Sequence, residues 1–200
     1  ITYKEVFPLM MDNLVWLGYS IHSGDRKFNV PDDYPLEAAT CGIDPDGRKF
    51  IRVKGIRWFT NIDHGGRHEP LQLDTMAHNL KFNKSLKKKL EKDFQLAEYP
   101  HYDNYDAIEV PFTECIPSDY DGLMGVPITF MDKYNPKQFE IVGSFNNSTQ
   151  RDKAKERYVL SADTPTIITG VEKTWNGPVV NKVPLYKRIV IRHKKGGASE

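Results

Sequence analysis

Cysteine is scarce. Cys41 and Cys115 are the only two in 200 residues, far apart and without CxxC or Cys/His spacing, so the chain has neither a disulfide framework nor a structural zinc site. Long apolar runs are also missing: none approaches the roughly 20 residues a membrane helix needs, and no basic N-terminal region precedes an apolar core. The expectation is a cytoplasmic protein without membrane partners. Neither sign of charge dominates. With 28 Lys and Arg against 27 Asp and Glu the net charge is +1, which excludes a uniformly basic nucleic-acid binder but leaves room for a local basic face. There is no GxSxG elbow and no Walker loop. What is present, 39% hydrophobic and 28% charged residues, is the composition of an ordinary globular chain with a real core.

Thr2-Tyr-Lys-Glu5 reads as a capping box that starts a helix near Tyr3, with Pro8 kinking or restarting it. Leu14-Val-Trp-Leu-Gly-Tyr19 reads as a buried strand, so the chain opens on a helix–strand half-unit of an α/β sheet. The breaker density over 22–49 predicts little regular structure, apart from a hairpin that Asp46-Gly47 closes onto the following run. Residues 50–60 alternate apolar with basic before turning apolar, with Gly55 as a bulge or crossing point. A mixed segment over 71–83 precedes an amphipathic helix marked by Leu86, Leu90 and Phe94. Strands are predicted over 107–110, 126–131, 139–142 and 166–169, with a basic alternating strand over 182–193. Turns are predicted at Asp121-Gly122, Asn135-Pro136 and Trp175-Asn-Gly-Pro178. A short charged helix or loop is expected over 152–158 and a frayed tail over 196–200.

Three places carry candidate chemistry. The first is the glycine-flexed loop Asn61-Ile-Asp-His-Gly-Gly-Arg-His68, which leaves the C-terminal end of a strand, the edge where α/β sheets bind ligands. His64 and His68 are either structural or solvated loop residues, or part of a binding surface. Zinc is disfavoured, because Gly65-Gly66 opposes the helix that would put both rings on one face. The second is the lysine face Lys84, Lys87, Lys88 and Lys92. Over 81–95 six lysines stand against two acidic residues, a local charge of +4. Such a run is either a solvated face or a surface that neutralises phosphates without reading sequence. In the third, Tyr99, Tyr102 and Tyr105 either stack on bases or pack against the domain.

The stretch over 116–143 is the most specific. Pro117-Ser-Asp-Tyr-Asp-Gly122, Gly125-Val-Pro-Ile-Thr-Phe130, Asp132-Lys-Tyr-Asn-Pro136 and Phe139-Glu-Ile141, with the Asp-His-x-x-Arg-His pattern of 63–68, resemble the C-terminal half of the EcoRI-type adenine-specific DNA methyltransferases. The resemblance covers nearly the whole chain, strongest over 56–83 and 102–143 and weakest over 20–48 and 144–180. It implies an α/β fold in which 1–62 forms the distal part of a Rossmann-like methyltransferase sheet and 63–200 a β-rich target-recognition region. It also implies S-adenosylmethionine as cofactor of the complete enzyme, double-stranded DNA as partner and a restriction–modification setting.

Two motifs that such an enzyme needs are absent from this sequence: a glycine-rich cofactor loop, and the Asn/Asp-Pro-Pro-aromatic tetrapeptide that holds a flipped adenine. Asn135-Pro136-Lys137-Gln138 lacks the second proline and the ring. The resemblance places both motifs N-terminal to Ile1, so the expectation is a C-terminal part that works with a missing N-terminal methyltransferase half. Alone it neither binds cofactor nor methylates, and it holds no catalytic residue and no metal. Asn61, His64, Arg67 and His68 are then candidates to read bases, since arginine forks onto guanine and asparagine onto adenine. Lys84, Lys87, Lys88 and Lys92 are candidates for phosphates, and Ser118, Asp119 and Tyr120 are further DNA-binding candidates. Two alternatives stay open, a non-enzymatic DNA-binding specificity module and a metal-dependent nuclease or phosphoesterase using Asp63, His64 and His68.

Overall fold

The computed structural model describes residues 6–19, 25–37, 40–145, 159–160, 166–167, 174–175 and 177–194. The capping box at 2–5, the segment 152–158 and the tail at 196–200 lie outside them. Helix α1 (Phe7–Met11) carries Pro8 in its first turn, where the missing N–H is no loss, so the proline restarts the helix and does not kink it. Phe7 and Met10 are buried.

The strand expected over 14–19 shortens to β1 (Trp16–Leu17). After it come β2 (Asp25–Asn29), β3 (Cys41–Ile43), β4 (Lys49–Lys54) and β5 (Phe59–Thr60). β1 pairs antiparallel with β5, and between them an antiparallel sheet runs in the order β2-β4-β3. Two strands therefore lie inside the stretch read as largely irregular. Its breakers mark the connections instead: the Tyr34 amide bonds the Pro31 carbonyl, and the Asp44 carboxylate accepts from the amides of Asp46 and Arg48 to close the β3–β4 hairpin. Gly55, at φ +71°, ends β4 and splits the expected 50–60 strand in two.

A 3-10 turn at Gly65–Arg67 leads to α2 (Met76–Phe82), a regular helix within the segment expected to be mixed, and to α3 (Lys84–Phe94). Asn83 ends one helix and caps the next, its side chain accepting from the Leu86 amide at 2.9 Å. Leu86, Leu90 and Phe94 form the buried stripe of α3.

The core is the sheet formed by β6 (Ala107–Glu109), β7 (Leu123–Val126), β8 (Phe139–Phe145), β9 (Val159–Leu160) and the last strand. Short pairs β10 (Thr166–Ile167) with β11 (Thr174–Trp175) and β12 (Val179–Val180) with β13 (Val183–Pro184) precede that strand, β14 (Ile189–His193). The order is β6-β7-β14-β8-β9; the two outer pairs are parallel, and both neighbours of β14 are antiparallel to it. Ile189, Val190 and Ile191 are all fully buried, so both faces of β14 are covered.

Two expectations fail here. The strand read over 126–131 ends at Val126, because Pro127 offers no amide to a ladder and its carbonyl accepts from Phe130 to start a 3-10 helix, Ile128–Lys133. The basic strand read over 182–193 is two elements, β13 and β14, joined by an irregular link. That link is fastened by Arg188, which forks onto the fully buried Glu109 at 2.7–3.0 Å while Tyr102 donates to the same carboxylate. Tyr99 and Tyr102 are buried and Tyr105 stacks on Phe145, so these tyrosines pack. Among the described residues no helix is long and apolar enough to cross a membrane.

Candidate nucleic-acid interface

The loop after β5 is built on short-range hydrogen bonds. Thr60 Oγ1 accepts from the Ile62 amide, and the Ile62 carbonyl accepts from the Trp16 indole, both at 3.0 Å, so the loop leaves the sheet tied to β1. Gly66 lies close against Tyr19: a Cβ here would stand 2.7 Å from that exposed ring, which would have to shift.

Three polar residues of the loop turn to different partners. His64 Nε2 lies 2.9 Å from the Leu17 carbonyl, which only accepts, so this nitrogen carries the proton. Its Nδ1 is buried without a partner among the described residues. Arg67 is turned inward, 9% exposed, its guanidinium 3.5 Å from the centre of the Trp16 ring. It donates to Asn13 and more distantly to Asp63, and its Nε is buried without a partner among the described residues. His68 is exposed and chelates the Asp63 carboxylate at 2.9 Å to each oxygen. That hydrogen bond, with the loop's other amide and cationic neighbours, holds the Asp63 carboxyl below its ordinary range. Asn61 is exposed. A cavity of about 390 Å³ opens beside the loop, lined by Trp16, Tyr19, His64, Arg67, Asp132 and Tyr134.

The loop is braced from behind by residues that read in the sequence only as a failed motif. Asn135, buried, donates its side-chain amide to the His68 carbonyl at 3.0 Å, and Gln138 exchanges a reciprocal pair with the backbone of Leu71 at 2.7 and 3.0 Å. The one signal available beforehand was the Asn-Pro turn. It forms, with the Asn135 carbonyl accepting from the amides of Gln138 and Phe139.

The remaining candidates form a second group. Asp119 accepts from the Met76 amide at 2.7 Å and so caps α2 together with Thr75. The Ser118 amide bonds the Asp74 carbonyl. Tyr120 is half-buried, and burial raises its phenol above the usual value. Of this turn Ser118 and Asp119 are exposed, with Asp119 already engaged. α2 leads through Asn83 into α3, where Lys84, Lys87, Lys88 and Lys92 are exposed and stand away from the buried stripe, while Lys89 is ion-paired to Asp93. Chemically the two groups offer donors, acceptors and positive charge. Among the described residues no cluster of three or more His, Cys, Asp or Glu side chains could hold a metal ion.

Over residues 1–194 the chain matches the family model described as adenine-specific methyltransferase EcoRI. It is 43% identical over 142 residues to the Type II methyltransferase M.EcoRI of Escherichia coli, which covers 71% of this chain and 39% of that protein. It is 36% identical over 149 residues to M.MgeORF184P of Mycoplasma genitalium, covering 74% and 42%, and 34% identical over 149 residues to M.MpnI of Mycoplasma pneumoniae, covering 72% and 41%. The chain thus spans about two fifths of the length of these curated relatives. No solved structure matches it.

Proposed function

Given that the chain belongs to the EcoRI adenine-specific methyltransferase family, we propose that it supplies target recognition to a site-specific DNA adenine methyltransferase. The observation that carries this is the family match over 194 residues of a sequence that contains neither the cofactor loop nor the Asn/Asp-Pro-Pro-aromatic tetrapeptide. A separate N-terminal half then holds S-adenosylmethionine and the flipped adenine. On this reading the β1–β5 pair is the far edge of a Rossmann-like sheet, residues 1–62 belong with that half, and 63–200 form the region that meets double-stranded DNA.

Within the loop the roles divide by exposure. Asn61 and His68 are exposed and meet base edges, His68 while its Nε2 engages Asp63, and His64 stands beside the cavity, whereas Arg67 acts by holding the loop against β1 and does not fork onto a guanine. A buried guanidinium that is stacked and hydrogen-bonded has no open face to offer a base. Lys84, Lys87, Lys88 and Lys92 contact phosphates, and Ser118, Asp119 and Tyr120 lie at the head of the helix pair that carries them.

The experiment is a pair of titrations on the chain. Labelled duplex DNA should bind with affinity that falls steeply with salt. S-adenosylmethionine should give no heat at micromolar concentrations, where a site corresponds to roughly 8 kcal/mol. A micromolar cofactor site, or no DNA binding, overturns the reading.

A further inference from the structure

We propose that one face of the β2–β4–β3 sheet, carrying Lys27, Arg52 and Lys54 around Phe50, is a second contact surface for the phosphate backbone of duplex DNA. It rests on the reading that this chain binds DNA, and it adds a surface beyond the loop and the lysine helix.

The register creates the surface. Side chains alternate faces along a strand, and directly opposed residues share a face. Lys27 stands opposite Arg52, and Gly42 of the neighbouring strand opposite Phe50. Phe50, Arg52 and Lys54, two residues apart, therefore share one face with Lys27 and with Asp25, which stands opposite Lys54, so the excess positive charge is centred on Arg52. The packing agrees: Lys27 Nζ lies 4.5 Å and Arg52 Cζ 5.6 Å from the centre of the Phe50 ring. A Cβ at Gly42 would come within 2.9 Å of that ring, so the ring reaches over β3 at Gly42.

Two cations directly opposed on neighbouring strands repel and destabilise the pair. Lys27 is relieved by Asp44 at 2.9 Å. Arg52 is exposed and has no carboxylate partner among the described residues. A face kept only for solubility gains nothing from this opposition. A broken local rule of this kind marks a surface whose compensation comes from a partner.

The setting fits DNA. Residues 26–37 and 40–54 include not one that is fully buried, so the sheet is an arm inserted between β1 and β5 and not part of the core. Its other face reaches the candidate loop: Phe28 meets Trp58 at 6.4 Å, and a cavity of about 440 Å³ is lined by Arg26, Trp58, Ile62, Asp63 and His64. Along β4, Arg52 and Lys54 are about 7 Å apart, on the scale of neighbouring phosphates in one strand. Because both cations cover Phe50, the ring organises them and is no platform for a stacked base. The contact is thus with the backbone and carries no sequence preference.

The test is fluorescence anisotropy of the 200-residue chain with labelled duplex DNA from about 50 to 200 mM salt, for wild type, Arg52→Gln and Arg52→Gln/Lys54→Gln. Both variants should bind all duplexes more weakly by the same factor, with the slope of log affinity against log salt reduced by about 0.9 per lost contact. Thermal midpoints should hold or rise, because neutralising Arg52 relieves its repulsion with Lys27. Wild-type binding with an unchanged slope in both variants overturns this proposal alone. So does weaker binding that tracks a fall in thermal midpoint, and so does competition by polyglutamate as effective as that by DNA, which marks an acidic protein as the partner. Absence of duplex binding by wild type overturns the functional reading and this surface together.

Discussion

The five-stranded sheet and the three-stranded β2–β4–β3 arm are of opposite construction. In the first, three consecutive residues of β14 are fully buried and even a carboxylate, Glu109, is sealed in with Arg188 and Tyr102. In the second no described residue is fully buried, although Phe28, Phe50, Ile51 and Val53 are there to be covered. Apolar burial at about 25 cal/mol per Å² holds the one. The other has little of that support among the described residues. The difference separates the scaffold from the arm more sharply than composition does.

Breaking a charge pair in each region should give the widest contrast. Arg188→Ala leaves Glu109 buried and uncompensated and is expected to destabilise by about 3–5 kcal/mol, read from urea unfolding. Lys27→Ala removes a partly exposed lysine and leaves Asp44 its hydrogen bonds from the Asp46 and Arg48 amides, so it is expected to shift the midpoint by no more than about 1 kcal/mol. If the two variants unfold alike, the sheet is not the scaffold.

Apolar truncation comes next. Leu90→Ala opens a cavity under α3 and should lose about 2–5 kcal/mol, while Ile43→Ala in the exposed arm should be nearly neutral. A large effect at Ile43 would show that the arm has a core of its own.

Each region also holds one cysteine, which allows a chemical comparison. Cys115 is fully buried, and burial pushes its thiol up to about 11. Cys41 is half-exposed on β3. A thiol reagent at neutral pH should label Cys41 first and Cys115 only on unfolding. Since the folded-state value of Cys115 is raised above the ordinary 9.0, the unfolded chain ionises first as pH rises, so stability should fall between about pH 9 and 11. Cys115→Ser should flatten that decline.

The amphipathic helix α3, the hairpin at Asp46-Gly47 and the Asn135 turn were legible in the sequence because each follows from local chemistry: a spacing of four, a turn residue, an Asn-Pro pair. Gly55 was legible only as a bulge or crossing point, whereas its positive φ follows the end of β4. The short strands β2 and β3 were not, since breaker residues announce connections and say nothing of what lies between them. Pro127 was misread for the converse reason: the β-branched and aromatic residues after it suggest a strand, and the missing amide decides for a 3-10 helix. The site residues were visible as types but not as directions. Nothing in the string Asp-His-Gly-Gly-Arg-His says that the arginine turns inward onto Trp16, 51 positions before it, while the second histidine turns outward onto Asp63.

A smaller effect sharpens that last point. Because the His68 hydrogen bond is the largest influence lowering Asp63, His68→Ala should raise the Asp63 carboxyl toward 3.8, followed by NMR titration. In wild type the associated stabilisation is present above the ordinary carboxylate range and is lost as pH falls through the lowered folded-state value. An unmoved Asp63 would mean that the pair does not form in solution.

The central claim is that this chain chooses the site. Joining it to the cofactor-binding half of a family member with a different recognition sequence, and mapping methyladenine across a genome exposed to the hybrid, tests that directly. The account predicts that the methylated sequence follows this chain and departs from the donor's own site. Methylation that stays at the donor's site would contradict it.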